Sequence, residues 1–492
     1  MAVSAGAAAG TYNVHDFGVK DGREHNSQAG IQAAVDACHK AGGGTVYFPP
    51  GEYLSSTIRL RSRVTVHLDA GATLWTSGDP KHYSGSNRHL LVADDAEHIS
   101  VVGPGTIHGT GEADLGRRPG VKDERPAFRT GVLLFKRCRH VAVRGLKILY
   151  SDAWTLHFKR CETVFVDGVT ILNNFWRVNS DGIDPNMCRD VHISNCHIVA
   201  GDDCIVLKAT EAHPCENVVV VNCTLQSIAT ALKLGTESHG DFRDIHVSNC
   251  VIRNTSVGIG FYLKDGATME RVSFSDISIQ AADPVAVDHV VYPIFMDIEK
   301  RHEDSRVGAI RDVRFDGIQI HGGSGVLIQG MPERPIENLA LQNVTFRVER
   351  ADTYEGRKKA VGGRRTTRDE RDYRYAQAPS YLTLAHVKGL TLDKVCVTLA
   401  EKAAKERPRS AVAGHALEGG IIRGVRMMPG KAAAAAPVLA LHDCRSMLVT
   451  GGVALPGTQT YLKLTGEQNA DVKVTGNHLD GARRGVDDTR SK

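Results

Sequence analysis

Cys188–Ile198 reads CRDVHISNCHI, and 27 residues further on Cys215–Leu225 reads CENVVVVNCTL. A third copy, FRDIHVSNCVI, fills Phe242–Ile252, again 27 residues later by its shared Asn-Cys. Looser copies come before, CRHVAVRGLKI from Cys138 and CETVFVDGVTI from Cys161. Others come after, IRDVRFDGIQI from Ile310, IENLALQNVTF from Ile336 and VKGLTLDKVCV from Val387. Two cysteine ladders mark the register: Cys161, Cys188 and Cys215, and Cys196, Cys223 and Cys250. Each copy is a polar opener, a short alternating run, an Asn or Gly corner and another short strand.

Short strands of this kind cannot close a core within one repeat, but they can when repeats stack in parallel, about 4.8 Å apart. The expected fold is all-β, a single parallel β-helix. Asn at one corner position can hydrogen-bond along the stack, and Cys at one interior position can fill the same slot in every rung. A β-sandwich explains neither the 27-residue register nor the repeated Asn-Cys.

Different rules apply at the ends. In NSQAGIQAAVDACHKAGGG, Ile31, Ala34, Val35 and Cys38 recur at helical spacing, with Asn26 or Ser27 as N-cap and Gly42 as stop. This predicts a helix capping the open end of the core, with residues 10–80 forming the cap and first rungs. Residues 350–380 break the repeat with mixed charge and glycine and read as a long exposed loop. Residues 381–492 read as irregular C-terminal rungs, and the whole of 1–492 as one domain.

Composition narrows the function classes. The chain has 492 residues, 42% hydrophobic and 24% charged, with a net charge of +4, too small to point to nucleic acid. No apolar run approaches the roughly 20 residues that span a bilayer. The opening MAVSAGAAAGTYNVHDFG lacks a basic segment and a long apolar core, so it does not read as an intact secretory signal. The 11 cysteines include no CxxC pair and read as buried free thiols.

The chemistry-bearing stretch is NSDGIDPNMCRDVHISNCHIVAGDDCIVLK, Asn179–Lys208. Asp181 and Asp203 lie 22 residues apart (203 − 181), close to one rung, so their side chains can come together. Asp202 would face the other way in a regular strand, so convergence of all three needs a bend, which Gly201 permits. Converging carboxylates repel, so at least one should keep its proton near neutrality. A protonated acid beside ionised ones suits glycosidic cleavage. Calcium binding is the rival reading of the same acids, and turn aspartates a second. Asp184 and Asp190 read as turn or strand-opening residues.

NSDG, then GDDC, then Lys264 in FYLKDG resemble the signature of glycoside hydrolase family 28, the polygalacturonase family, and the resemblance implies a right-handed parallel β-helix. The opening YNVHDFG…GGGTVYFPPGEY is similar to its bacterial members, and the likeness runs from Tyr12 to about Val348. The resemblance implies Asp202 as general acid and Asp181 and Asp203 as the pair that positions and deprotonates water, with inversion. It implies that Asn179 supports Asp181 and that Lys264 pairs with a uronate carboxylate. Two departures bear on substrate. Ala229 and Thr230 stand where the family's Gly-His-Gly histidine falls, and Tyr262 replaces the arginine of its Arg-x-Lys. Tyrosine offers a stacking face and one hydroxyl in place of a planar cation. Rhamnogalacturonan hydrolases of the family share both departures, so a mixed or decorated pectic chain is expected over plain homogalacturonan.

Lys208, Glu237 and His239 are further candidates for substrate contact, against the plainer readings of solvated stem, surface acid and turn histidine. Lys233 is weighed in the same way. Trp154 and Trp176 are candidates for sugar stacking or for packing. The basic cluster Arg357, Lys358, Lys359, Arg364 and Arg365 reads first as a solvated loop. The expected protein is a monomeric hydrolase of an acidic polysaccharide or oligosaccharide, with no cofactor, metal, nucleic acid or membrane. By resemblance it works outside the cell or in the periplasm. A β-helical lyase or epimerase of uronates, or a glycan-binding β-helix without activity, are the alternatives.

Overall fold

The computed structural model describes residues 10–84, 88–111, 127–281, 291–323, 325–348, 380–400, 403, 409–428 and 436–489. The loop expected over 350–380 and the basic cluster lie outside them, Ser380 apart. The chain packs into two compact units. The first holds the described residues up to 207 together with 216–224, and the second holds 208–215 and those from 225 onward.

Both units are right-handed parallel β-helices. In the first, Val141, Val164, Val191 and Val218 stand in register on successive strands, with Val143, Val166, Ile193 and Val220 beside them. Ile148, Ile171 and Ile198 stack on a second face, and Leu133, Leu156 and Ile183 on a third. All of these are buried, while the alternating Ala142, Phe165, His192 and Val219 point away from the core. In the second unit Leu232, Ile259 and Ile294 are in register, and Phe274 and Phe315 stack with rings 5.2 Å apart.

The corners explain the repeated asparagines. Asn195 and Asn222 have φ of 56° and 59°, the left-handed region that Asn tolerates better than most residues. Asn222 Nδ2 donates to Asn195 Oδ1 at 3.2 Å, and Asn195 Nδ2 to Asp167 Oδ1 at 2.8 Å. Asn217 likewise donates to Asp190 at 2.9 Å, which gives that aspartate a corner role. All 11 cysteines are free and buried, and Cys161 N donates to Cys188 Sγ one rung on, at 3.4 Å.

The capping helix is Gln28–Lys40, with Ile31, Ala34, Val35 and Cys38 buried. Asn26 Oδ1 accepts from the Gln28 N–H, and Gly42, with φ of 100°, follows the C-cap Ala41. The C-terminal rungs pair in parallel although the intervals between them vary. The 20-residue strand Ser380–Leu399 keeps unbroken register with Ser410–Arg423, and Leu382, Val412, Leu439 and Leu462 continue one interior file. These rungs lack the Asn-Cys mark, so only alternation signals them.

Replacing Asn195 by Ala removes both ladder bonds and the polar side chain that makes positive φ tolerable, and should cost about 1–2 kcal/mol. Asn195→Gly, which keeps the backbone relaxed, should cost less; equal urea midpoints for the two would show that the corner conformation carries no strain. Hydrogen bonds from Ser194 and Asn195 hold the Asp167 carboxyl below its usual range, as Asn343 and Arg314 do for Asp316. Their contribution is present above the unfolded carboxyl pKa of about 4 and is lost as pH falls through the lower folded value. Unfolding midpoints should therefore fall on acidification below about pH 4, and less steeply in Asn195→Ala.

Candidate active site

Asp181, Asp202 and Asp203 come together, with one carboxylate oxygen of each lying within 4.8 Å of the others. Asp181 and Asp203 are buried and Asp202 is partly exposed. Backbone proximity produces the convergence. Gly182 N donates to Asp203 O at 2.9 Å, and a Cβ at Gly182 would lie 2.5 Å from Cys204 O. A Cβ at Gly201 would lie 2.3 Å from Asn174 O and 2.6 Å from Arg177 O. Both glycines are needed for close approach, and the bend at 201–204 breaks the alternation that would turn Asp202 away.

Polar side chains hold the segment before Asp181. Asn173 Nδ2 donates to Ser180 O, and Ser180 Oγ accepts from Gly201 N and donates to Arg177 O. Arg177 and Asp152, both buried, pair at 2.8 Å, and Thr110 Oγ1 donates to Asp152. Asn179, at φ of 58°, donates its backbone N–H to Asp202 Oδ2 at 3.1 Å and its amide Nδ2 to the same oxygen at 3.5 Å. Both of these donors support Asp202.

The second unit carries a cluster of buried ion pairs. Lys264 Nζ lies 3.1 Å from Glu299 Oε2, with both side chains under 5% exposed. Lys208, 4% exposed, lies 3.6 Å from Glu237, so it is no solvated stem. Arg301 grips Asp265 with Nε and Nη2 at 2.6 and 2.8 Å, and Nη2 also donates to Thr236 O. Burial raises the Asp265 pKa, but Arg301 and the Ser238 N–H outweigh it and hold the carboxyl below its usual range. His239 is half-exposed, with Nε2 3.8 Å from Asp265.

Several expectations need correction. Tyr262 is 5% exposed, its ring 5.0 Å from Phe295 and with Lys233 Nζ 5.2 Å from its centroid. Its ring is committed to packing and offers no open sugar platform. Trp176 is fully buried against Phe175, and Trp154 meets His157 edge-on. Asp184 is no turn residue: it lies within Ile183–Asn186, in register with His157, and is fully buried. Glu299, Arg301, Asp265 and Arg129 escaped the sequence reading. Glu299 stands 35 residues after Lys264, off the 27-residue count that would have paired them.

Fold and cluster together define a class, parallel β-helices with carboxylates gathered where strands meet a bend. The model of glycosyl hydrolases family 28 matches residues 38–358, and the chain belongs to that family. It is a glycoside hydrolase. It is 25% identical over 377 residues to a probable polygalacturonase of Vitis vinifera, covering 67% of this chain and 73% of that protein. Among solved structures, the family 28 exopolygalacturonase of Yersinia enterocolitica superposes with a TM-score of 0.62 at 16% identity, over 84% of this chain and 79% of that one. The exopolygalacturonase of Thermotoga maritima gives 0.60 at 22%, over 69% and 88%. Among the described residues no helix is long and apolar enough to cross a membrane.

Gly201→Ala forces a methyl against two carbonyl oxygens and should destabilise the fold by about 1–3 kcal/mol. The displaced Asp202 should also lower activity beyond the folded fraction lost. Urea unfolding beside specific activity checks this; a wild-type midpoint with wild-type activity would mean that the bend has slack.

Proposed function

We propose that the protein hydrolyses α-glycosidic bonds in galacturonate-containing pectic polysaccharide or oligosaccharide, by a single displacement with inversion. The observation that carries this reading is the gathering of three carboxylates within 4.8 Å. Asp202, the most exposed of them, gives its proton to the leaving glycosidic oxygen as the C1–O bond breaks. Asp181 and Asp203 hold a water and take its proton as its oxygen bonds to C1. Three like charges this close favour retention of one proton, which is what the acid requires.

Separation alone gives a competing signal, because carboxyls about 5 Å apart usually mark a retaining mechanism and inverting pairs stand about 6.5–9.5 Å apart. That rule describes one acid and one base with water between them. A third carboxylate lets water rest against a pair beside the acid, so the wider gap is not needed.

The names of the relatives, polygalacturonase and exopolygalacturonase, support a pectic substrate. Tyr262 in place of an arginine, and Lys264 paired with Glu299, favour a mixed or decorated chain over plain homogalacturonan, because neither leaves a planar cation for a uronate. The family likeness further supports a monomer working outside the cytoplasm.

Homogalacturonan and rhamnogalacturonan assays, read for new reducing ends and for the ultraviolet absorbance of unsaturated uronate, test this directly. Reducing ends should appear without absorbance, and Asp202→Asn, Asp181→Asn and Asp203→Asn should each lose about 10²–10⁴-fold in kcat. Proton NMR of early product should show the β-anomer first. Absorbance would replace hydrolysis with elimination, and a first-formed α-anomer would replace inversion with retention.

A further inference from the structure

The amide of Asn179 is held from two sides. Arg129 Nη1 donates to Asn179 Oδ1 at 3.3 Å and to Val178 O at 3.0 Å. An arginine has only donors to offer, so the atom facing it must be the amide oxygen. The amide nitrogen is then turned toward Asp202 Oδ2, the oxygen that also accepts the Asn179 backbone N–H. The left-handed backbone at Asn179 lets both donors reach one acceptor.

We propose that Arg129 and Asn179 form a positioning relay that reserves Oδ2 of Asp202 as a hydrogen-bond acceptor and leaves Oδ1 to carry the acidic proton. The inference rests on Asp202 serving as the general acid. An oxygen receiving two N–H donors is the poorer place for a proton, so protonated Asp202 presents its O–H from Oδ1 alone. Arg129 acts through Asn179 and sets the direction of proton delivery. The same donors favour the ionised carboxylate, opposing Asp181 and Asp203, whose negative charges within 4.8 Å favour the protonated one. Arg177, which Ser180 ties to this segment, pairs with Asp152 at 2.8 Å. The balance keeps the acid able to give up its proton as well as hold it.

The basic limb of the pH profile of kcat/KM reports the group that must be protonated in the free enzyme. Removing donors from Oδ2 raises the pKa of that group, so the limb should move to higher pH. Asn179→Gly keeps the positive φ and the backbone donor while deleting the amide; its limb should rise by about one pH unit. Arg129→Met, on a partly exposed side chain, should shift the limb the same way by less, with kcat lowered several-fold in both variants. A limb that stays in place or falls in either variant overturns the relay, because a purely structural loss would scale activity alike at every pH. Asp202→Asn run alongside keeps the two ideas apart: wild-type activity there would remove the acid assignment itself, whatever the limbs do.

Discussion

Hydrogen bonding between parallel strands one rung apart is the interaction on which the rest of the protein depends. It fixes every residue above its counterpart 23–27 positions away in the central rungs, so an interior position must suit the same slot in each turn. Valine over valine and isoleucine over isoleucine satisfy that demand, because a β-branched chain fills the pleat in one rotamer. The same lock acts at the corners, where an Asn in the left-handed region sits above another and can bond to it. A slip of one residue would turn each interior file out to solvent.

The lock also makes the carboxylate cluster possible, because it fixes backbone positions closely enough for Gly182 and Gly201 to bring three acids together. Bringing like charges to one place costs free energy, and the surrounding order offsets it. The bonds of Asn173, Ser180 and Arg177 tie the segment down before the acids meet, and Asn179 gives Asp202 two donors. The second unit solves a similar problem differently. Its buried Lys264 and Asp265 each face an opposite charge, Glu299 and Arg301, so the pairs carry little net charge. Breaking either pair would strand a buried ion, which is far costlier than replacing both partners.

Much of this was legible before any coordinates. The Asn-Cys repeat gave rung length, parallel stacking and buried thiols, because a feature that must recur in space recurs in sequence. Asp181, Asp202 and Asp203 stood out because acids flanked by glycine among strand residues have few other uses. What stayed hidden depends on contacts that leave no period. Tyr262 looked like a sugar platform until Phe295, 33 positions later (295 − 262), covered it. Asp184 looked like a turn because a proline follows, yet Pro185 stacks under Phe158 inside a strand. Glu299 and Arg301 follow a longer interval between rungs, so no count from Lys264 leads to them. The C-terminal rungs lack the Asn-Cys mark and step by 30, 27 and then 23 residues along one interior file, so neither marker nor count announces them.

The buried thiols have a consequence for how the chain comes to be folded. In the finished protein burial pushes the Cys444 thiol up to about 11, neighbouring thiols and burial raise Cys138 and Cys161, and the Cys223 thiol holds Cys196 below its ordinary value. All 11 sulfurs are buried, so the native state is sheltered from the redox poise around it. The unfolded chain has no such protection, because its 11 thiols return to ordinary acidity together. Any wrong disulfide formed then would join positions that the rung register keeps in separate slots, and the solenoid could not close around it. Folding is thus a race against oxidation, decided by how quickly successive rungs shelter their sulfurs.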